Sequence, residues 1–138
     1  MVIVIDATDM IVGRFATRVA KMAVQGEEVH VINCEKAVYS GKESSVLARF
    51  KQLRERTVPL KGPYFPTQSD KIVRRAIRGM ISYKTPMGKE AFARVKCSVG
   101  TVEGLEDAQS FEGAKKGKLP NVKYVTIKRI SEYLGGNR

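Results

Sequence analysis

The apolar residues at the start of the chain follow two different spacings, and each spacing predicts a different element. Residues 2–5 are an unbroken run of β-branched and aliphatic side chains, which is typical of a short strand buried on both faces. From Val12 the apolar positions recur at intervals of three and four residues, as in an amphipathic helix, and Gly26 is placed to end it. The apolar positions of this helix are Val12, Phe15, Ala16, Val19, Ala20 and Ala23. Residues 29–34 predict a second strand. The opening is therefore a β-α-β unit, whose crossover should be right-handed.

A second amphipathic helix and a proline-rich segment follow. A turn at Ser40–Gly41 precedes apolar residues with helical spacing that reach about Arg56. Residues 57–68 contain three prolines and cannot lie inside a sheet. We interpret this segment as a functional loop, because Lys61, Tyr64 and Phe65 supply a cation and two rings. The rings could stack on nucleobases, or they could equally tuck under the domain.

The second half predicts a third helix and then weaker elements. A short helix is expected over residues 88–94, a strand over 95–99, a last strand over 123–128 and a helical turn over 130–134. The glycine-rich stretch 100–121 reads mostly as loop. Alternating strands and helices of this length predict a single α/β domain over residues 1–138, a three-layer α/β/α sandwich around a small, mainly parallel four-stranded sheet.

The third helix carries a basic face and an apolar face. Four cations recur at i, i+3, i+4 and i+7, so they share one side of a helix. They are Lys71, Arg74, Arg75 and Arg78. The other side carries Ile72, Val73, Ala76, Ile77, Met80 and Ile81. The apolar side can dock on a core while the cations point outward towards a phosphate backbone, although a basic helix face is also often merely solvated.

Charge favours the first interpretation. The net charge is +11, and the excess is +3 over residues 1–69 and +8 over residues 70–138. Between residues 61 and 96, nine Lys or Arg residues face only two acids, Asp70 and Glu90. Few acids are available to neutralise these cations, which favours an anionic partner, first nucleic acid and second a membrane surface. No apolar run is long enough to span a membrane, and no signal peptide is visible, so we expect a cytoplasmic protein.

Enzymatic chemistry finds little support in the sequence. Gly13 is the only glycine at the first strand-to-helix turn, whereas a dinucleotide-binding fingerprint needs three, and no phosphate-binding P-loop motif occurs. His30 is the single histidine and lies mid-strand, where a packed residue is expected rather than a general base. Cys34 and Cys97 are expected to be buried and to behave as small apolar residues. Two cysteines and one histidine do not supply the four ligands that zinc needs. We therefore expect no catalytic residue, no metal and no cofactor.

Several motifs, in the same order along the chain, resemble one known family. Residues 78–91 read RGMISYKTPMGKEA, which closely resembles the signature of the universal large-subunit ribosomal protein thirteen family in its archaeal and eukaryotic form. Residues 13–20, GRFATRVA, are similar to the start of that family's first helix, and residues 31–36, VINCEK, to its second strand. Residues 40–42 and the Gly-Pro at 62–63 match two further turns of the family.

The resemblance implies a non-enzymatic protein that binds large-subunit ribosomal RNA, takes part early in subunit assembly and contacts neighbouring ribosomal proteins. It also implies the same α/β/α fold, with no membrane and no small-molecule substrate. RNA contact is implied for Arg14, Lys42, Arg78, Lys84 and Lys89. Charge and position add Lys61, Lys71, Arg74, Arg75, Lys96, Lys115, Lys116 and Lys118. Gly13, Gly79 and Gly88 are expected where the backbone approaches RNA or turns sharply.

Two other functions remain open at this point. A free-standing RNA-binding regulator outside the ribosome would need the same residues, so only its location would distinguish it. A nucleotide-binding enzyme on the same α/β core would need a phosphate-binding turn, which the sequence lacks.

Overall fold

Four parallel strands form the main sheet; in spatial order they are Val95–Cys97, Glu28–Ile32, Val2–Asp6 and Ala108–Gln109. The computed structural model describes residues 2–56, 60, 62, 64–104, 108–111, 114–115 and 123–135. The strands of the main sheet are β1 (Val2–Asp6), β2 (Glu28–Ile32), β4 (Val95–Cys97) and β5 (Ala108–Gln109). The α/β class and the mainly parallel four-stranded sheet predicted from the sequence are thus confirmed.

Five α-helices occur in the described residues. They are α1 (Val12–Val24), α2 (Glu43–Glu55), α3 (Ser69–Arg78), α4 (Pro86–Ala93) and α5 (Ile127–Tyr133). The buried residues of α1 are the six predicted from the apolar spacing. Gly26 has a φ of +100°, in the left-handed region that suits a glycine just after a helix.

The helices α1, α3 and α4 lie together against the main sheet. The chain moves from β1 to β2 and then from β2 to β4 in the same direction across the sheet, and right-handed crossovers place their helices on the same face. α1 contacts both α3 and α4, in agreement with this topology. Ile5, Val29 and Val31 point to this face and join the main apolar core. The helix that carries the predicted basic face is therefore anchored on the sheet through a shared core.

The remaining strands form a second, smaller sheet. Here β3 (Val38–Ser40) pairs antiparallel with β6 (Tyr124–Thr126). The predicted last strand over residues 123–128 is thus shorter than expected, because α5 begins at Ile127. Thr126 caps this helix, since its Oγ1 accepts a hydrogen bond from the backbone N–H of Arg129 at 3.3 Å.

The stretch 100–121, predicted to be mostly loop, contains one short strand that completes the main sheet. Ala108 and Gln109 pair with Val4 and Ile5 of β1 in the parallel register. Two residues are too few to show the alternation by which a strand is recognised in a sequence, and both are exposed. Residues 105–107, 112–113 and 116–121 of this stretch lie outside the described residues.

His30 gives the fold a measurable dependence on pH. It lies mid-strand as predicted, with Nε2 2.7 Å from the Ser98 hydroxyl. Burial, and then the positive charge of Lys96, lower the pKa of His30 from its ordinary 6.5. The unfolded chain therefore binds the proton more readily, so this contribution to stability is complete above about pH 6.5 and is lost as the pH falls below it.

We expect His30→Gln to reduce the fall in stability on mild acidification. Thermal melts of both proteins between about pH 7.5 and about pH 5 check this, because His30 titrates only in the wild type within that range. The wild type should lose more of its Tm than the variant. Parallel losses in the two proteins would contradict the assignment.

Candidate nucleic-acid interface

The apolar side of α3 is buried, which fixes the orientation of its basic side. Ile72, Val73 and Ile77 are at most 1% exposed. The segment before the helix is held by the Ser131 hydroxyl, which donates to the backbone carbonyl of Thr67 at 2.6 Å. Burial on one side of a rigid helix therefore aims the other side outward, as the spacing predicts. Met80 departs from the prediction, because it lies beyond the end of α3 and is 45% exposed.

The four cations of α3 line a single surface cleft, which we call the α3 cleft. It has a volume of about 220 Å³. Its lining residues are Lys71, Arg74, Arg75 and Arg78, together with Tyr64, Pro66 and Phe92. The predicted grouping of the cations on one side is confirmed as geometry. The proximity of Tyr64 and Phe92 to these cations was not predicted.

Two of the arginines rest on aromatic rings from outside α3. The guanidinium carbon of Arg74 lies 4.1 Å from the ring centroid of Phe92 in α4, and its Nε donates to the carbonyl of Val95 at 3.2 Å. The guanidinium carbon of Arg78 lies 4.5 Å from the ring centroid of Tyr83. Cation–π contacts of this kind contribute roughly 0.5–1 kcal/mol at exposed sites and more when desolvated. The rings therefore hold the arginines in place without neutralising their charge.

Arg75 is held on the opposite side of the cleft by the proline-rich segment. Its guanidinium carbon lies 5.8 Å from the Phe65 ring centroid, and its Nη2 donates to the Tyr64 carbonyl at 3.4 Å. Phe65 in turn packs against Phe50 of α2, with ring centroids 5.8 Å apart. Of the two rings left open by the sequence, Phe65 is tucked under the domain and Tyr64 is 63% exposed.

The cleft concentrates positive charge, and among the described residues that line it there is no carboxylate. Burial, and then the charge of Arg78, lower the pKa of Arg75 below its ordinary value, as expected for neighbouring guanidinium groups. The ion pairs Lys51–Glu55 and Arg129–Glu43 both lie outside α3.

One donor in the cleft has no acceptor. The Nε of Arg78 is buried and makes no hydrogen bond. A buried donor without an acceptor costs about 1–3 kcal/mol, and more when the group is charged. An anion in the cleft would offset the repulsion between the arginines that line it.

A tight turn links α3 to α4; Lys84 lies in this turn and Lys89 lies in the first half of α4, and both of these predicted cations are exposed. Thr85 caps α4, since its Oγ1 accepts from the N–H of Gly88 at 3.1 Å, and Pro86 begins the helix. A Cβ on Gly88 would lie 1.7 Å from the carbonyl oxygen of Ser82. The backbone that lies close to this buried glycine is therefore that of Ser82 in the same chain.

The other predicted residues do not line the α3 cleft, or they lie outside the described residues. Arg14 and Gly13 are exposed at the start of α1, Lys42 is exposed just before α2, and Gly79 is exposed directly after α3. A Cβ on Gly79 would make only an ordinary contact, 3.6 Å from the carbonyl oxygen of Ala76. Lys61, Lys116 and Lys118 lie outside the described residues.

Two further predicted cations belong to other parts of the fold. Lys96 is exposed on β4 and lines a second cleft, of about 370 Å³, beside His30. Lys115 is half-buried, and its Nζ donates to the carbonyl of Thr8 at 3.3 Å. Burial raises the pKa of Asp6, but hydrogen bonds from Thr8 and Asn33 and the charge of Lys115 outweigh it and hold that pKa below its ordinary value. Lys115 therefore interacts with groups of its own chain, the Thr8 carbonyl and the Asp6 carboxylate.

The sequence did not predict that the rings of Tyr83 and Phe92 would contact Arg78 and Arg74. Phe92 is half-buried beneath Arg74. Neither ring has a helical spacing to the arginine that it supports, since both lie outside α3. A run of arginines followed by isolated aromatic residues is the only signal that the sequence offers for such contacts.

The two cysteines behave as small apolar residues. Cys34 is buried and Cys97 is half-buried, and both are free thiols. The thiol of Cys34 donates to the carbonyl oxygen of Val31 at 3.6 Å, and the neighbouring Cys97 thiol, together with burial, raises the pKa of Cys34 well above its ordinary value. Cys34 therefore stays protonated and unreactive.

Neither a metal centre nor a membrane span is found in the described residues. No group of three or more His, Cys, Asp or Glu side chains there is arranged to hold a metal ion. None of the helices described combines the length and the apolar character needed to cross a bilayer.

Comparison with known proteins identifies the family. The sequence model of the family described as Ribosomal protein L13 matches residues 1–103. The large ribosomal subunit protein uL13 of Methanococcoides burtonii is 43% identical over 134 residues, which cover 96% of each chain. That of Methanococcus maripaludis is 43% identical over 138 residues, covering 96% of this chain and 97% of the relative. That of Methanopyrus kandleri is 40% identical, covering 96% of this chain and 86% of the relative. The protein therefore belongs to the ribosomal protein L13 family, whose members are structural proteins and not enzymes.

Proposed function

We propose that this protein is a structural component of the large ribosomal subunit in the cytoplasm and that it binds large-subunit ribosomal RNA through the α3 cleft and the adjoining turn. Its partners would be that RNA and the neighbouring ribosomal proteins. Family membership supports the ribosomal role. The observation that carries RNA binding is the set of four cations that line one cleft without a carboxylate partner from the described residues.

Neutralisation of phosphates is the physical mechanism of this role. RNA helices that converge on one point repel each other through their backbones, and cations held between them lower that repulsion. The arginines of α3 are already oriented by their aromatic contacts, so less side-chain entropy is lost when they bind. Subunit assembly is supported because the protein lowers the free energy of packing RNA helices together.

Specificity should come from the shape of the RNA and from unstacked bases. The major groove of A-form RNA is too deep and narrow for side chains to read, whereas loops and bulges expose their bases and backbones. A cleft surrounded by arginines suits such an irregular backbone better than it suits a regular duplex.

Salt dependence tests whether phosphates dominate binding. If about five phosphates are neutralised, log Kd should change with log salt concentration with a slope of about 3.5–4.5, so a fourfold rise in salt weakens binding by more than about a hundredfold. Filter binding of the purified protein to large-subunit RNA measures this slope. A slope near zero would contradict the proposal.

The place of binding distinguishes a ribosomal component from a regulator. We expect the protein to sediment with the large subunit through a high-salt gradient. Recovery in RNA complexes that lack the subunit would instead support a regulatory protein.

A further inference from the structure

The α3 cleft has the size and chemistry of a site for one nucleotide rather than of a general basic surface. Its volume of about 220 Å³ is below the roughly 300–1,000 Å³ of pockets that enclose whole drug-sized ligands. The space suits a phosphate group with part of its nucleoside. Cations and aromatic rings both line the cleft, which is the combination that a nucleotide needs.

Arg78 supplies a specific place for the phosphate. Its Nε is buried, makes no hydrogen bond and belongs to a side chain that lines the cleft. A guanidinium group can donate two parallel hydrogen bonds to a phosphate, which an ammonium group cannot reproduce. The Tyr83 ring fixes this guanidinium, with its carbon 4.5 Å from the ring centroid.

Tyr64 supplies a surface for a base. Its side chain is 63% exposed, and it lines the cleft beside Pro66. The hydrogen bond from Arg75 to the Tyr64 carbonyl ties the backbone at this point to α3. The other aromatic residue that lines the cleft, Phe92, is half-buried beneath Arg74, whereas Tyr64 is exposed.

We propose that the α3 cleft binds a single unstacked nucleotide of RNA, with its phosphate on Arg78 and its base stacked on Tyr64. This inference rests on the proposed RNA-binding function and names the unit of RNA that this site accepts. Duplex RNA should bind the rest of the basic surface but should not fill the cleft.

A short uridine-flanked RNA with a central 2-aminopurine tests the proposal, because the fluorescence of this base falls when it stacks on a ring. Fluorescence anisotropy measures binding in the same samples. At saturation the wild-type protein should quench the single strand, and Tyr64→Leu should abolish the quenching. Loss of one stacking contact should weaken binding of the single strand by about fivefold or more.

Two further variants separate the site from general effects. Tyr133→Leu removes a tyrosine that is 41% exposed on α5 and should leave quenching and affinity unchanged. Arg78→Lys keeps the charge but loses the paired donors, so it should weaken the single strand and leave the duplex unaffected. Thermal melts of each variant confirm that it is folded. Inorganic phosphate, compared with chloride at equal ionic strength, should compete only weakly, because it lacks the base.

The outcomes distinguish this proposal from the wider function. Full binding by anisotropy without quenching would overturn the nucleotide site and leave RNA binding intact. Equal effects of Arg78→Lys on single strand and duplex, or efficient competition by phosphate alone, would also overturn it. Failure of large-subunit RNA to bind would instead overturn the proposed function itself.

Discussion

The variant Gly88→Ala is expected to destabilise the protein by about 3 kcal/mol, which corresponds to a Tm about 10 °C lower for a chain of this size. The new Cβ would lie 1.7 Å from the Ser82 carbonyl oxygen and 2.3 Å from its carbon, so the backbone of the turn must move. The same oxygen accepts hydrogen bonds from Thr85 N and Thr85 Oγ1, at 3.1 and 2.8 Å. Displacement would therefore disrupt the residue that caps α4. Thermal or urea unfolding measures the loss.

Gly13→Ala is the matched control for this prediction. Gly13 lies in the first turn of α1, its φ is not in the left-handed region, and a Cβ there would meet nothing within 4 Å. Alanine lowers the conformational entropy of the unfolded chain, so this variant should be equally stable or more stable by about 0.5 kcal/mol. Equal losses of stability in the two variants would contradict the packing explanation.

The second large effect is expected on RNA affinity, when two cations of the α3 cleft are removed together. Each phosphate contact contributes about 0.7–0.9 to the salt slope, which amounts to about 5- to 8-fold in affinity at 0.1 M relative to 1 M salt. Lys71→Gln with Arg75→Gln should therefore weaken binding by about 25- to 60-fold at 0.1 M salt. The slope should fall by about 1.4–1.8. Filter binding to large-subunit RNA over a salt series measures both quantities.

Lys51→Gln with Arg129→Gln is the control of equal charge. These two cations form exposed ion pairs with Glu55 and Glu43, at 3.9 and 3.0 Å. The double variant lowers the net charge by the same two units but leaves the α3 cleft unchanged. Its affinity should stay close to that of the wild type. If both double variants lose affinity equally, net charge rather than the cleft governs binding.

The elements with strong periodicity were predictable from the sequence. The six buried residues of α1 match the predicted set because the helical repeat continues over three turns. The burial of Ile72 and Ile77 in α3 was likewise predictable, although the helix ends at Arg78, before the predicted positions Met80 and Ile81. In these places a single local pattern and the tertiary structure require the same residues to be apolar.

Other elements depend on pairing partners far away in the chain. Ala108 and Gln109 form a strand because β1 offers a free edge beside them, and their own sequence gives no sign of it. Residues 38–40 and 124–126 form the small sheet through a pairing that a local pattern cannot specify. The charge of the α3 cleft was predictable from spacing, but the aromatic contacts of Arg74 and Arg78 were not, since they arise from packing between elements.

The aromatic rings beneath the arginines make the arrangement of these cations depend on folding. Phe65 comes from the segment before α3, Tyr83 from the turn after it, and Phe92 from the next helix. An unfolded chain contains every one of these cations yet lacks the surface that arranges them. Binding of ribosomal RNA to this surface would therefore stabilise the folded state relative to unfolded states, by an amount that the free energy of binding determines.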